Sequence, residues 1–258
     1  MRHPGSMLML LLLSTPLGAQ TPAEHIAAGI AASLGRDPQT AYTHFEAAQR
    51  LEPSNYEANW RAAQALIDLG KQTPDSVKSP TRDSLYARAE VFARNAVMAD
   101  SSDAEGHFIL SQAIGRASLT KSKKERVRRA GEIRSEALRA IQLNPNHDGA
   151  YHVMGRWNAE IMRLSGLQRF FARNFLGGRI FSSASWDSAI VYLEKSVALK
   201  PENIYHHLDL ALVYVDRKRY GDARTHLGLI GTLPVVDVMD PTYQRDAERR
   251  LQQIANRR

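Results

Sequence analysis

The chain has no cysteine in 258 residues, and that absence closes two routes at once. No disulfide can staple the fold, and no thiolate can serve as nucleophile, redox centre, metal ligand or acyl-anchor site. Stability must come from packing. Long hydrophobic runs are missing too: the stretch from Met7 to Leu13 is far shorter than the roughly 20 apolar residues that span a bilayer. β-Branched runs are scarce while Ala, Leu, Arg and Glu abound, so helix propensity outweighs strand propensity along the whole chain. The usual catalytic motifs are lacking. No glycine-rich loop precedes a lysine and Ser/Thr, no serine sits in a nucleophile elbow, and no helix carries His-Glu-x-x-His. These gaps point away from an enzyme and from any cofactor or metal, and toward an all-α binding protein.

What is present begins with an N-terminal leader. Arg2 and His3 precede the apolar run, and Pro16, Gly18 and Ala19 follow it, which is the layout of a signal peptide over residues 1–19 with cleavage after Ala19. Leu17 fits the small-residue rule imperfectly, and the alternative is an uncleaved membrane anchor. The expected compartment is therefore exported, periplasmic or secreted. The formal charge of +7 falls by one if Arg2 leaves with the leader, and a basic exported chain suits acidic proteins or anionic headgroups better than nucleic acid.

The remainder repeats itself. Ala41, Phe45, Ala48 and Pro53 have the spacing of the second helix of a tetratricopeptide repeat, a unit of about 34 residues in which small side chains let two helices approach and proline stops the second. The pattern recurs at Ala89, Ala93, Ala96 and Ser101, at Ile133, Ala137, Ala140 and Pro145, and at Ala189, Leu193, Ser196 and Pro201. A final uninterrupted unit carries Leu210, Ala211, Tyr214, Tyr220, Ala223 and Leu227. The spacing predicts repeats over about 22–55, 56–103, 104–147, 148–203 and 204–236, a polar capping helix over 241–256, and a right-handed superhelix of helix pairs.

In such a superhelix the first helices line a concave groove. Their groove-facing positions select Trp60, Gln64, Phe108, Gln112, Arg116, His152, Arg156, Glu160 and Tyr205, with Leu208 and Leu212 better explained as packing residues. Aromatic walls with Arg116 and Arg156 inside suit an acidic peptide, or a lipid with a charged head. Glu160, one turn after Arg156, is the alternative partner for that guanidinium. His107 and His207 take an aromatic packing position and read as buried, satisfied imidazoles; His206 faces elsewhere than His207, which makes a shared metal awkward.

Insertions split repeats 2, 3 and 4. The first, KQTPDSVKSPTRD, reads as a solvated loop. The second holds KSKKERVRR, either a helix extension into water or an anionic-surface contact. The third, GLQRFFARNFLGGRIF, gathers four phenylalanines with three arginines. Leu164, Leu167, Phe171 and Phe175 fall on one side of an amphipathic helix and Arg169 and Arg173 on another. It is expected to be a lid that packs its phenylalanines, Phe170 among them, near Trp157 and presents its arginines outward.

One segment is more specific than a generic repeat. The run YHVMGRWNAEIMRLSGLQRFFARNFLGG, followed by ASWDSAIVYLEKSVALKP, resembles the regulator of microtubule dynamics family, whose His-x-x-Gly-Arg-Trp signature stands here as His152, Gly155, Arg156 and Trp157. Leu164, Ser165, Arg169, Ala172 and Gly177 follow at similar spacing. The resemblance implies a non-enzymatic helical-repeat domain, whose animal members are associated with microtubules and organelle membranes. A leader would put this chain across a membrane from any cytoskeleton, so it carries a fold and a groove over rather than microtubule binding. Gly155 is expected where a neighbouring helix comes too close for a side chain, Trp157 to serve structure, and Arg156 to meet a ligand.

The primary expectation is a scaffold that holds a protein or peptide in its groove; the alternative is a lipid-binding or peripheral membrane protein with an acyl-chain groove and a basic aromatic lid.

Overall fold

A computed structural model describes residues 20–175 and 178–257. The leader expected over 1–19 lies outside the described residues, as do Leu176 and Gly177 and the Phe175 side chain. All regular structure among them is helical. The helices α1 (Pro22–Leu34), α3 (Tyr56–Lys71), α5 (Ala104–Ala117), α7 (Asp148–Arg163) and α10 (Ile204–Asp216) are the first helices of five pairs. Their partners are α2 (Pro38–Leu51), α4 (Pro80–Ala99), α6 (Lys123–Leu143), α9 (Trp186–Leu199) and α11 (Tyr220–Ile230). A short α8 (Gly166–Phe175) and a 3-10 turn (Arg179–Ser183) stand between α7 and α9, and α12 (Asp240–Ile254) closes the chain.

Local sequence sets the helix starts. Asn55, Ser79, Asp103, Ser122, Ser185 and Asn203 each accept the N–H two or three residues on, and Thr21 with Glu24 forms a reciprocal capping box. Proline occupies the first helical turn of α1, α2 and α4, where its missing N–H costs nothing. The unsplit pairs α1/α2 and α10/α11 turn through Arg36 (φ 61°) and Lys218 (φ 58°), left-handed residues that allow a connection of only three.

Packing sets the array. Ala41, Ala48, Ala89, Ala93, Ala96, Ala137, Ala140, Ala189 and Ala223 are wholly buried, because the second helices press against their partners at those points. Each fully buried large side chain, such as Phe45, Leu66, Ile109, Leu193 or Leu210, contributes roughly 2 kcal/mol against about 1 for a cap. Packing therefore holds the superhelix and caps mark its boundaries. Gly155 shows how tight the approach is: a Cβ there would sit 2.4 Å from Leu193 Cγ and 3.2 Å from the Ala189 carbonyl. Successive first helices also touch, α1 with α3, α3 with α5, α5 with α7 and α7 with α10, and make a continuous inner wall.

The first insertion is mostly exposed, as expected of a solvated loop, but it is tied down at both ends of its turn. Residues 72–79 are anchored: Arg82, buried, donates to the carbonyls of Pro74 (2.7 Å) and Val77 (2.8 Å), and Asp75 pairs with Arg116 across to α5. In the basic run, Lys121, Lys123, Lys124, Arg126 and Arg128 are exposed, but Arg129 turns inward to Glu90 and to the Ser118 hydroxyl (2.8 Å). A buried guanidinium needs such partners, and Glu90 on α4 is held below the usual carboxylate range because Arg129 and Arg94 outweigh its burial.

The third insertion corrects the expected lid. α8 carries Leu167, Phe170 and Phe171 outward, 67%, 50% and 50% exposed, and among its described side chains Ala172 is the buried one. Arg169 points inward and donates to the carbonyls of Met162 (2.8 Å) and Leu164 (2.5 Å), which the end of α7 leaves without helical partners. That tether fixes the rotation of α8 and turns its apolar stripe away from the core. Arg173 stays exposed. The ring that reaches Trp157 is Phe181, from the 3-10 turn, edge-on at 6.3 Å.

Candidate functional site

The inner wall encloses a groove of about 770 Å³. Gln64 of α3, Phe108, Gln112 and Arg116 of α5, and His152, Arg156 and Glu160 of α7 all line it, with Tyr205 of α10. Trp60 stands beside it, in a smaller recess of about 140 Å³ that it shares with Gln64 and Val236–Val238. Leu208 is buried and Leu212 half-buried in the core of the last repeats, off the groove.

Most of the polar side chains brought together there already have partners. Arg156 Nε lies 3.4 Å from Asp209 Oδ2 of α10, and its guanidinium stands 5.4 Å from the centre of the Tyr205 ring. Glu160 is not the partner of Arg156: it pairs with Arg163 at 2.7 Å, and Arg163 also binds Asp216. The next first helix offers a better-placed carboxylate than the next turn of the same helix, so the cross-repeat pair forms. Arg116 is paired with Asp75 at 3.1 Å, and the Gln64 amide donates to both oxygens of Asp68. Asp68 also binds Lys71, yet burial and the facing charge of Asp237 raise its pKa.

The deepest part of the wall is a polar lattice between α7 and α10. His152 Nε2 stands 2.8 Å from Asp209 Oδ2, and His206 Nε2 stands 2.7 Å from Asp148 Oδ2. The two imidazoles lie 4.7 Å apart, and His152 also meets the edge of Tyr205, which stacks at 4.6 Å and 9° on Tyr243 of α12. Burial pushes His152 down to about 4, against the pull of its Asp209 hydrogen bond. Burial alone would raise Asp209, but Arg156 and His152 outweigh it and hold the carboxyl at about 2. At neutral pH the lattice is a neutral imidazole that donates to a charged carboxylate, itself balanced by a half-exposed arginine. His107 and His207 are satisfied: His107 by Glu136 and the Ser101 carbonyl, His207 by His226 and the Pro201 carbonyl. Among the described residues no three His, Asp or Glu side chains are grouped as a metal site.

Trp157 touches the groove and also packs into the layer behind its wall. Its Nε1 donates to the Ala130 carbonyl of α6 at 2.8 Å, and its ring is buried with Ile161, Ala172 and Phe181. Sequence reasoning missed Asp148, Asp209, His206 and Tyr243, together with the segment Val236–Asp240 that closes one end of the groove. Asp209 lies just past the position assigned to packing at Leu208, and the 236–240 segment falls outside the repeat pattern altogether. The one available signal was an aspartate set between two leucines in the middle of a first helix.

Paired helices stacked around a lined groove define a tetratricopeptide-repeat protein. The solved structures agree on the fold. A thermophilic tetratricopeptide protein of Thermus thermophilus superposes with a TM-score of 0.61 at 17% identity, over 88% of this chain and 99% of that one. Pseudomonas aeruginosa pilF does so at 0.53 and 14%, over 90% and 91%. Within that class, residues 30–255 match the family of regulator of microtubule dynamics proteins 1-3, and the chain belongs to it. Regulator of microtubule dynamics protein 3 of Rattus norvegicus is 22% identical over 190 residues, 73% of this chain and 39% of the rat protein. The match thus spans well under half of that relative.

Proposed function

We propose that the protein is an exported scaffold whose groove holds a segment of a partner protein. The observation that carries this reading is the groove itself, about 770 Å³ walled by side chains of four successive repeats and offering both signs of charge at its rim, Arg156 and Lys200 against Glu105 and Glu160. Because Arg116 and Arg156 are each matched by an aspartate, the fitting ligand carries mixed polar and aromatic side chains rather than a run of acids. Export rests on the Met7–Leu13 run and the small residues before Gln20, and N-terminal sequencing of the chain from its native compartment should begin at Gln20. Under that placement the microtubules in the name of the rat relative are not the partner proposed.

The test is a photo-crosslinking amino acid at Gln112, inside the groove, and at Val191, exposed on α9. A discrete adduct from Gln112, absent from Val191 and weakened by Arg156→Ala together with Arg116→Ala, supports the groove as the binding face. Identical adducts from both positions, or indifference to the arginines, would exclude it.

A further inference from the structure

Two insertions that are distant in sequence meet on one edge of the molecule. The chain around Gly178 is pressed onto α6: a Cβ at Gly178 would lie 3.0 Å from Val127 Cγ1, and the Gly178 N–H donates to the Ala172 carbonyl at 2.9 Å. Ala172 and Phe181 bury themselves against Val127, Ala130 and Ile133, so α8 stands beside the first half of α6. Lys123 and Lys124 lie one turn before Val127, on the same face of α6.

The face that α8 presents outward carries an apolar stripe. Leu167, Phe170 and Phe171 follow helical i, i+3, i+4 spacing, and all three are exposed. The Phe170 and Phe171 rings meet edge-on at 5.9 Å. The two segments that meet here are mostly cationic. Lys121, Lys123, Lys124, Arg173 and Arg179 are exposed, Arg126 is exposed at the groove, and Glu125, the sole acid in 118–131 and in 166–185, is tied to Arg128 at 2.6 Å. The inward tether of Arg169 holds the arrangement in place.

We infer that this edge is a docking surface for an anionic lipid bilayer. A short helix with exposed Leu and Phe, ringed by cations on flexible stems, matches what an interface with apolar interior and acidic headgroups requires: rings enter the acyl boundary while Lys and Arg stay at headgroup level. An acidic protein surface would satisfy the cations but offers no depth for the rings. Lys123, Lys124, Leu167, Phe170 and Phe171 do not line the groove, so variants at these positions test the edge separately from the proposed peptide site.

Flotation of the full chain with vesicles tests it. The chain is expected to float with phosphatidylcholine vesicles containing one-third phosphatidylserine, beyond any flotation with phosphatidylcholine alone, and raised salt should release that excess. Lys123→Glu with Lys124→Glu should lower the bound-to-free ratio by tenfold or more, and Phe170→Ser with Phe171→Ser by about tenfold. Both pairs are exposed, so the melting temperature should hold; if the phenylalanine pair misfolds, the lysine pair decides. Arg156→Ala should float like the parent. Equal flotation with both vesicle types, or anionic-vesicle flotation indifferent to both double variants, overturns the inference. So does retention on immobilised polyglutamate without vesicle binding, which would make the edge a site for acidic protein.

Discussion

On the groove floor Arg156 lies against Tyr205 and beside Asp209, and His152 completes the set, all between two first helices. On the flap, fewer than twenty residues further along the chain, Arg173, Phe170 and Phe171 face solvent from a helix fixed by Arg169. The residue types are alike and their roles are opposite. On the floor, Asp209 of α10 serves both His152 and Arg156 of α7, so charge is neutralised inside. On the flap residues 166–185 hold no acid, so Arg173 keeps its charge on the outer face beside the exposed rings.

The two regions should answer mutation differently, and the largest effect belongs to the floor. Asp209→Ala removes the shared acceptor of His152 and Arg156 and should cost about 4 kcal/mol in chemical denaturation; a loss under about 1 would mean the lattice is not the structural floor. Acid is the next probe. A histidine whose folded pKa is near 4 leaves the folded state reluctant to bind the proton that the unfolded chain takes up near 6.5. Its stabilising contribution is therefore present above pH 6.5 and lost as pH falls toward 4, by at most roughly 3 kcal/mol. His207 and His226, also lowered by burial, act in the same direction. His152→Gln keeps a donor for Asp209 and should flatten the stability slope in that window, whereas Phe171→Ser should leave it untouched.

Gly155→Ala should destabilise by about 2 kcal/mol, because Leu193 and the Ala189 carbonyl leave no room for a methyl. Trp157→Phe joins floor to flap: it deletes the hydrogen bond to the Ala130 carbonyl and should cost about 1 kcal/mol, with α8 becoming easier to cleave by protease. Smallest is Phe171→Ser, expected within about 0.5 kcal/mol of the parent in thermal unfolding; a larger loss would mean the flap rings hold the fold.

The repeat frame was legible because it is local and periodic. Alanines at Ala41, Ala89, Ala137 and Ala189 recur at places where backbones must come close, and caps such as Asn55, Ser122 and Asn203 mark where each helix begins. Candidate groove residues could be named from the same frame, since helix position decides which way a side chain points. Their partners could not. Glu160 looked right for Arg156 by spacing, but Asp209 came from the next repeat; the rotation of α8 hung on two carbonyls left open by the end of α7.

By itself the sequence determined the helices, their pairing and the inner faces of the array, because propensity, capping and small-residue spacing act over one or two turns. Tertiary structure alone decided which charges cancel, that Val236–Asp240 closes the groove, and that α8 and α6 form one edge. Those contacts join residues from separate repeats, and their energies depend on distances across the stack that no local spacing encodes.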